Sequence, residues 1–182
     1  MSELRDKNGL TEEEFLRGYN PDKYPKPSAT ADLCVIARDG AEREILLIRR
    51  GGHPFLGQWA LPGGFADRNE PLEQTAQREL LEETGIPALP VRLVGVYSAP
   101  GRDPRGWVIT AAYAAEIEKG AVQAEAGDDA AEAAWFRVSR QGSDILLTSG
   151  SETLRITPGI WMAPGGLAFD HRQIIYDALA ET

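Results

Sequence analysis

The chain has 182 residues, of which 42% are apolar and 26% are charged, and its formal net charge at pH 7 is -9. This length and composition are typical of one globular domain with a full hydrophobic core. The acidic balance argues against binding to nucleic acid backbones or anionic membranes through the overall field, although an acidic site binds an anionic substrate when cations lie between them.

Cysteine content and apolar runs narrow the class of protein further. Cys34 is the single cysteine, which rules out an internal disulfide and a cysteine-rich zinc site, and its apolar surroundings indicate a core residue. No run of about 18 apolar residues is present, and the N-terminal residues do not resemble a signal sequence. We therefore expect a cytoplasmic protein with no membrane segment.

Residues 1–28 are mostly polar and are predicted to form an extended N-terminal arm. A short helix is expected near residues 11–18, before the segment PDKYPKPS. Prolines at this density favour extended chain over helix. The remaining residues, 29–182, are expected to form one domain, on which the arm or the arm of a second copy packs.

From Ala29 the pattern becomes that of strands. Two apolar runs on either side of Asp39-Gly40 predict a hairpin, and a loop rich in Gly and Pro follows. Beyond the central helix, VRLVGVYSA and WVITAAYAAEI predict two more strands, and residues 133–138 predict a short one. Residues 139–168 are predicted to be irregular, and FDHRQIIYDALAE is predicted to be a helix with Asp170 and Gln173 in a capping box. Strands and helices in this order predict an α/β sandwich with a mixed sheet.

The central helix is acidic. Pro71 suits its first turn, and Gly85 suits the left-handed position that ends it. Near its C-terminal end, Glu79, Glu82 and Glu83 span an arc of about 100° on one face. Like charges repel there, and the helix dipole adds to the unfavourable energy. A solvated acidic face would explain such spacing alone, but a hard divalent cation such as Mg²⁺ or Mn²⁺ would stabilise the cluster.

The residues around this helix resemble the Nudix box in every defined position. Gly64 is followed by five residues and Glu70, and then by seven residues and the run Arg78–Ile86, RELLEETGI. The strand pattern between residues 29 and 138 and the final helix are also similar to the Nudix fold. The resemblance implies an α/β/α sandwich and metal-dependent hydrolysis of a diphosphate linkage in a nucleoside diphosphate derivative.

The resemblance also implies which residues hold the metal. Glu79, Glu82 and Glu83 would be the ligands, together with the main-chain carbonyl of Gly63. The cofactor would be Mg²⁺ or Mn²⁺. Bound metal lowers the pKa of a water molecule, which attacks phosphorus while a carboxylate accepts its proton.

The sequence leaves the identity of that carboxylate open. One of the three glutamates is a candidate, and so is the loop AEAGDDAAEAAW, in which Glu125, Asp128 and Asp129 precede a strand. We take Asp129 as the candidate from this loop, for which a solvated acidic turn is an equally good interpretation.

Two charged residues of the box are expected to support the site. Glu70 and Arg78 would form an ion pair that stabilises the loop and the helix. Arg78 lies outside the arc of the three glutamates, so we expect it to offset their charge only in part.

The segment SAPGRDPRGW, residues 98–107, gives the best indication of the substrate. It places Arg102 and Arg105 in a Gly/Pro loop that should lie near the metal site, and arginine suits bidentate contact with phosphate. Arg50, at the end of a strand, is a further candidate. A Pro-containing loop after the box resembles the ADP-ribose pyrophosphatase subgroup, which implies ADP-ribose or a related nucleoside diphosphate sugar as substrate. An ordinary exposed turn is the alternative.

Two other functions remain open. One is a nucleoside triphosphate house-cleaning pyrophosphatase, and the other is a non-catalytic ADP-ribose sensor that regulates a partner. Such sensors usually carry a DNA-binding module, whereas about 40 residues follow Val138 and the chain is acidic. The intact glutamates also favour catalysis. We expect a small-molecule nucleotide ligand, no nucleic acid partner, and a homodimer.

Overall fold

The computed structural model describes residues 4–127 and 130–180. Within these ranges, nine strands form one sheet and three α-helices accompany it. The strands are β1 (Ser28–Asp39), β2 (Glu42–Arg50), β3 (Trp59–Ala60), β4 (Gly63–Phe65), β5 (Arg92–Tyr97), β6 (Val108–Glu118), β7 (Ala130–Gln141), β8 (Asp144–Ser149) and β9 (Glu152–Ile156). The helices are α1 (Glu12–Gly18), α2 (Leu72–Thr84) and α3 (His171–Ala180). The strand order is β5-β6-β1-β2-β7-β8-β9, with β3 beside β2 and β4 beside β1.

The sheet is mixed and is covered on both faces. Strand β1 runs parallel to β6 and antiparallel to β2, and it is buried without a break over residues 30–37. Its side chains alternate between two apolar clusters: Leu33 lies with Leu80 of α2, and Cys34 lies with Ile174 of α3. Full burial of a side chain such as Leu80 contributes roughly 1.5–3 kcal/mol. This arrangement confirms the predicted α/β/α sandwich and the core position of Cys34.

Helix α2 has the predicted boundaries. Pro71 is its N-cap, and Gly85 ends it with φ of 70° while its N–H donates to the Leu81 carbonyl oxygen at 2.9 Å. A left-handed residue here is favourable only because glycine has no Cβ. The helix packs mainly on β1 and β4, so its C-terminal half lies beside the segment that contains Gly63.

The N-terminal arm contains the expected short helix. Thr11 caps α1 through a capping box with Glu14, and the helix buries none of its residues. Residues 19–27 contain turns without strand or α-helix, and β1 begins at Ser28. Among the described residues, no helix is both long and apolar enough to cross a membrane.

The prediction that residues 139–168 are irregular is wrong for residues 139–156, whereas residues 157–168 contain no strand or α-helix. The long strand β7 reaches Gln141 and is followed by β8 and β9 in two tight antiparallel hairpins. Gly142 and Gly150 adopt left-handed φ values of 63° and 55° at the turns. Alternate apolar side chains, including Ile145 and Leu147, are fully buried. The residue between them, Leu146, is also apolar, and Gly, Ser and Thr surround this run, so the period-two pattern is hidden in the sequence.

Asp170 has a different role from the predicted helix cap. Its two carboxylate oxygens accept hydrogen bonds from the Arg102 guanidinium, at 2.9 Å from Nε and 2.7 Å from Nη2. The backbone N–H of Gln173 donates to the Asp170 main-chain carbonyl at 2.9 Å. The side chain therefore ties the 98–107 loop to the start of α3.

Candidate active site

A cleft of about 400 Å³ opens beside the C-terminal half of α2. This volume lies within the range of small-molecule pockets. The cleft is lined by all of the predicted site residues that the structure describes, namely Arg50, Gly63, Glu79, Glu82, Glu83, Arg102 and Arg105. Asp129, the candidate base from the acidic loop, lies outside the described residues. The fold thus brings the predicted metal ligands and the predicted arginines to one place.

Arg78 is the counter-ion of the acidic cluster. Its Nη1 donates to Glu79 Oε1 at 2.7 Å and to Glu82 Oε2 at 3.0 Å, while its Nε donates to Glu70 Oε1 at 2.9 Å. The bond between Arg78 and Glu70, together with those that Glu70 accepts from the Asp67 N–H and the Thr75 hydroxyl, lowers the pKa of Glu70 to about 2. The predicted Glu70–Arg78 pair is present. Although Arg78 lies outside the arc on the helical wheel, its long side chain reaches Glu79 and Glu82, and its one positive charge offsets the charge of the three glutamates only in part.

Glu83 is the most buried acid of the cluster. Its carboxylate Oε2 accepts a hydrogen bond from the Gly63 N–H at 3.0 Å, and the side chain lies beside Glu79 and Asp32. Burial raises the pKa of Glu83 to about 8, and the two neighbouring negative charges act in the same direction. Burial also raises the pKa of Glu79. The cluster therefore stores unfavourable electrostatic energy that a cation would relieve.

The donor atoms of the cleft fit a hard divalent cation in their chemistry. Carboxylate oxygens of three glutamates and a main-chain carbonyl are the ligand types that such ions take. Among residues 4–127 and 130–180, however, no three acidic, histidine or cysteine side chains already stand in a cation cage. Arg78 Nη1 holds one carboxylate oxygen each of Glu79 and Glu82.

Gly64 leaves the space that Glu79 occupies. A Cβ atom at this position would lie 2.4 Å from the carboxylate carbon of Glu79. We expect Gly64→Ala to displace that carboxylate and to weaken Mn²⁺ binding at least about tenfold, the effect typical of a disturbed metal ligand environment. Because the clashing atoms end a flexible side chain, the melting temperature should change little. Titration calorimetry and thermal unfolding measure both effects.

Gly52→Ala is the matched control for this substitution. Gly52 lines the same cleft, and a Cβ added there meets no atom within 4 Å. Unchanged Mn²⁺ affinity in Gly64→Ala, or an equal loss in both variants, would contradict the inferred position of the Glu79 carboxylate.

The pKa of Glu83 predicts how the stability of the metal-free protein depends on pH. The folded state holds this proton up to about pH 8, whereas the unfolded state releases it near the ordinary value of 4.5. The stabilisation that this proton gives to the folded state is complete below pH 4.5. It decreases as the pH rises above 4.5 and is lost once the pH has passed 8. Linkage gives a loss of about 2 kcal/mol between pH 6.5 and 8.5. Urea unfolding in EDTA should show this decrease, and Glu83→Gln should lack it; equal slopes in both proteins would refute the assignment.

Two arginines form the other wall of the cleft together with aromatic rings. The Arg105 guanidinium carbon lies 4.6 Å from the Phe65 ring centroid and 5.4 Å from that of Phe169, and its Nη2 donates to Asp103 at 2.7 Å. The Arg50 guanidinium carbon lies 5.1 Å from the Phe169 ring centroid. Cation–π contacts and fixed partners of this kind hold guanidinium groups in place. Both positive charges therefore line the same cleft as the acidic wall, which consists of Glu79, Glu82 and Glu83.

Arg102 differs from these two arginines. Only 4% of its side chain is exposed, and it forms a buried bidentate ion pair with Asp170. This pairing accounts for its conformation without a ligand, so its contact with phosphate stays a prediction.

Sequence reasoning missed several residues that line the cleft. Asp32 is a charged residue inside the apolar strand β1, and His171 is the first residue of α3. Phe65 and Phe169 complete the arginine wall. The position of Asp32 within ATADLCVIA is a usable signal, because a buried charge in a central strand requires a partner. The other three residues reach the cleft only through the tertiary fold.

Comparison with known proteins gives the family. The NUDIX domain model matches residues 27–141. An ADP-ribose pyrophosphatase from Methanocaldococcus jannaschii is 38% identical over 154 residues, which cover 85% of this chain and 74% of the relative. The crystal structure of a MutT/nudix family protein from Enterococcus faecalis has a TM-score of 0.84 and 38% identity, covering 94% of this chain and 69% of that protein.

A regulatory protein is also similar. The ADPR responsive transcriptional repressor NtrR of Acinetobacter baylyi is 33% identical over 175 residues, which cover 95% of this chain. The aligned region is 61% of the repressor's length. The domain match, the relatives and the box around α2 agree, and the chain belongs to the Nudix family.

Proposed function

We propose that this protein is a pyrophosphohydrolase that cleaves the diphosphate linkage of ADP-ribose or a related nucleoside diphosphate sugar, with Mg²⁺ or Mn²⁺ as cofactor. The observation that carries the proposal is the shared cleft, which three box glutamates line together with Arg50 and Arg105. The 38% identity to an ADP-ribose pyrophosphatase supports the choice of substrate. Family membership supports the reaction class.

The acidic wall would hold the metal. Glu79, Glu82 and Glu83 supply carboxylate oxygens, and Gly63 supplies its carbonyl oxygen. A bound divalent cation would neutralise phosphate charge and lower the pKa of a water molecule. Arg78 contacts one carboxylate oxygen each of Glu79 and Glu82 through its Nη1 and one of Glu70 through its Nε, so it would lie beside the metal ligands as their counter-ion.

The arginine wall would orient the diphosphate. Arg50 and Arg105 would contact phosphate oxygens through guanidinium N–H groups, and Asp103, which accepts from Nε and Nη2 of Arg105, would hold that side chain in position. Water then adds to one phosphorus, the bridging P–O bond breaks, and two monophosphates leave. A cleft carboxylate accepts the proton of that water. The three glutamates and Asp129 are the candidates for this role.

A substrate panel tests the proposal. ADP-ribose, other nucleoside diphosphate sugars and nucleoside triphosphates are incubated with protein and Mg²⁺, and phosphatase is added to release phosphate from monophosphate products. We expect ADP-ribose to give AMP and ribose 5-phosphate. Preferred release of pyrophosphate from triphosphates would instead support the house-cleaning function.

An ADP-ribose sensor is the second candidate function. The similarity to the NtrR repressor over 95% of this chain favours it. A sensor would bind ADP-ribose in titration calorimetry without releasing AMP in the presence of Mg²⁺ or Mn²⁺. Turnover therefore separates the two functions.

We also propose that the protein forms a homodimer in the cytoplasm. Helix α1 buries none of its residues, and it carries the exposed apolar side chains of Phe15 and Leu16. Light scattering gives the molar mass that tests the dimer.

A further inference from the structure

A row of three buried polar side chains lies beneath the cleft. Thr110, Asp32 and His171 come from β6, β1 and α3, and at most 7% of each residue is exposed. The Thr110 hydroxyl donates to Asp32 Oδ2 at 2.6 Å, and the other carboxylate oxygen, Oδ1, lies 3.5 Å from His171 Nε2. Buried polar groups at this depth need partners, and these three supply them for one another.

The hydrogen bonds of His171 fix its protonation. The backbone N–H of Leu61 donates to His171 Nδ1 at 2.9 Å, so this nitrogen has to be unprotonated. A neutral ring then carries its proton on Nε2, which faces Asp32. Burial lowers the pKa of His171, which agrees with a neutral ring. The imidazole therefore has one orientation and one tautomer.

The hydrogen bond from the Leu61 N–H to His171 lies at the start of the main-chain segment 61–63, which contacts Glu83 at its other end. Two residues later, the Gly63 N–H donates to Glu83 Oε2 at 3.0 Å. Between them, the Pro62 carbonyl accepts from the Leu33 N–H at 2.8 Å. A Cβ added at Gly63 would lie 2.4 Å from the Ala31 carbonyl oxygen, so this segment lies hard against β1. His171 thus fixes one end of a short main-chain segment whose other end orients Glu83.

We propose that His171 is a positioning residue for the metal site, with Asp32 and Thr110 orienting its ring. Its Nδ1 holds the Leu61 N–H, and the main chain carries this constraint to the Gly63 peptide. Helix α3 thereby contributes to a site whose predicted ligands all lie on α2 and β4. This inference rests on the proposed function, because it concerns the metal of that site.

Variants that differ in the position of the acceptor atom test the proposal. His171→Asn keeps an oxygen near the place of Nδ1, whereas His171→Leu has no acceptor and His171→Gln carries its amide near the place of Nε2. We expect the Leu and Gln variants to bind Mn²⁺ 10–100-fold more weakly, as for other partners that orient metal ligands, and the Asn variant to recover most of the affinity. Free Mn²⁺ is measured by electron paramagnetic resonance.

Tyr97→Phe is the matched control. It removes the hydrogen bond of 2.9 Å that the Tyr97 hydroxyl, on β5, donates to Asp177 on α3, the helix that also carries His171. This substitution should leave Mn²⁺ affinity unchanged. Equal affinity of the wild type and both the Leu and Gln variants overturns the inference. An equal loss of Mn²⁺ affinity in the Asn and Gln variants also overturns it, and so does an equal loss of affinity in Tyr97→Phe. Either result indicates that α3 has loosened in general.

Different results would refute the proposed hydrolase function and the positioning role of His171. If the wild type binds Mn²⁺ and hydrolyses ADP-ribose while the Gln variant retains full affinity, only the role of His171 is refuted. If the wild type has no affinity for Mn²⁺, the proposed function fails and the inference fails with it. The Gln and Asn variants decide the question even when the Leu variant does not fold.

Discussion

Replacing Glu83 with Gln is expected to lower the turnover of ADP-ribose by more than about 100-fold, since partners of metal ligands alone contribute 10–100-fold. Glu83 is 6% exposed and accepts the Gly63 N–H, so its carboxylate is held in the cleft whether or not substrate is present. Glutamine is isosteric but neutral, and it is a poor ligand for a hard cation. Initial rates at saturating Mg²⁺ measure the loss.

The same substitution should stabilise the metal-free protein. Burial disfavours the charged form of Glu83, and Gln removes that charge while keeping the shape. Glu73→Gln, an exposed first-turn substitution on α2, is the control and should alter neither turnover nor stability. Full turnover in Glu83→Gln would remove this residue from the proposed metal site.

Replacing Arg102 with Met is expected to destabilise the fold by about 3–5 kcal/mol, the effect of leaving one member of a buried ion pair without its partner. Arg102 and Asp170 have side chains that are 4% and 5% exposed, and two hydrogen bonds join them. The Arg102→Met/Asp170→Leu double variant should recover most of that loss, because no buried charge remains. Urea unfolding of the single and double variants gives the coupling energy.

The double variant also separates the two roles considered for Arg102. If the arginine only ties the loop to α3, the folded double variant keeps the wild-type KM for ADP-ribose. A raised KM with restored stability would support the phosphate contact predicted from the sequence. A loss below about 1 kcal/mol in Arg102→Met, the value of an exposed ion pair, would contradict the structural role.

Local signals in the sequence were sufficient to predict α2 and the residues at its acidic end. Pro71 and Gly85 set the boundaries through backbone conformation, and the box spacing placed Glu79, Glu82 and Glu83 on one face. These features depend on residues close together in the chain. The structure confirms the helix, and it brings the three glutamates to one cleft with Arg50 and Arg105.

Two pairings between residues distant in the chain could not be predicted from the sequence. Asp170 has the right position for a helix cap, but Arg102, 68 residues away, takes its carboxylate. Asp32 and His171 meet only because β1 and α3 pack on the same side of the cleft. Neither pairing leaves a periodic trace in the sequence, since each depends on the tertiary fold.

The role of Arg78 shows a limit of helical geometry. The angular position of its Cα placed it outside the glutamate arc, yet the guanidinium contacts Glu79 and Glu82. A long side chain reaches farther than the direction of its Cβ indicates. Positions on a helical wheel therefore underestimate which basic side chains can reach an acidic cluster.

We propose that the glutamates of α2 bind a divalent cation that activates a diphosphate for hydrolysis. The most direct test removes metal from the protein with EDTA and follows AMP release from ADP-ribose while Mg²⁺ is added back. We predict no AMP in EDTA and a saturable return of turnover with Mg²⁺. AMP release that does not depend on metal, or ADP-ribose binding without AMP at any Mg²⁺ or Mn²⁺ concentration, would contradict metal-dependent hydrolysis by these glutamates.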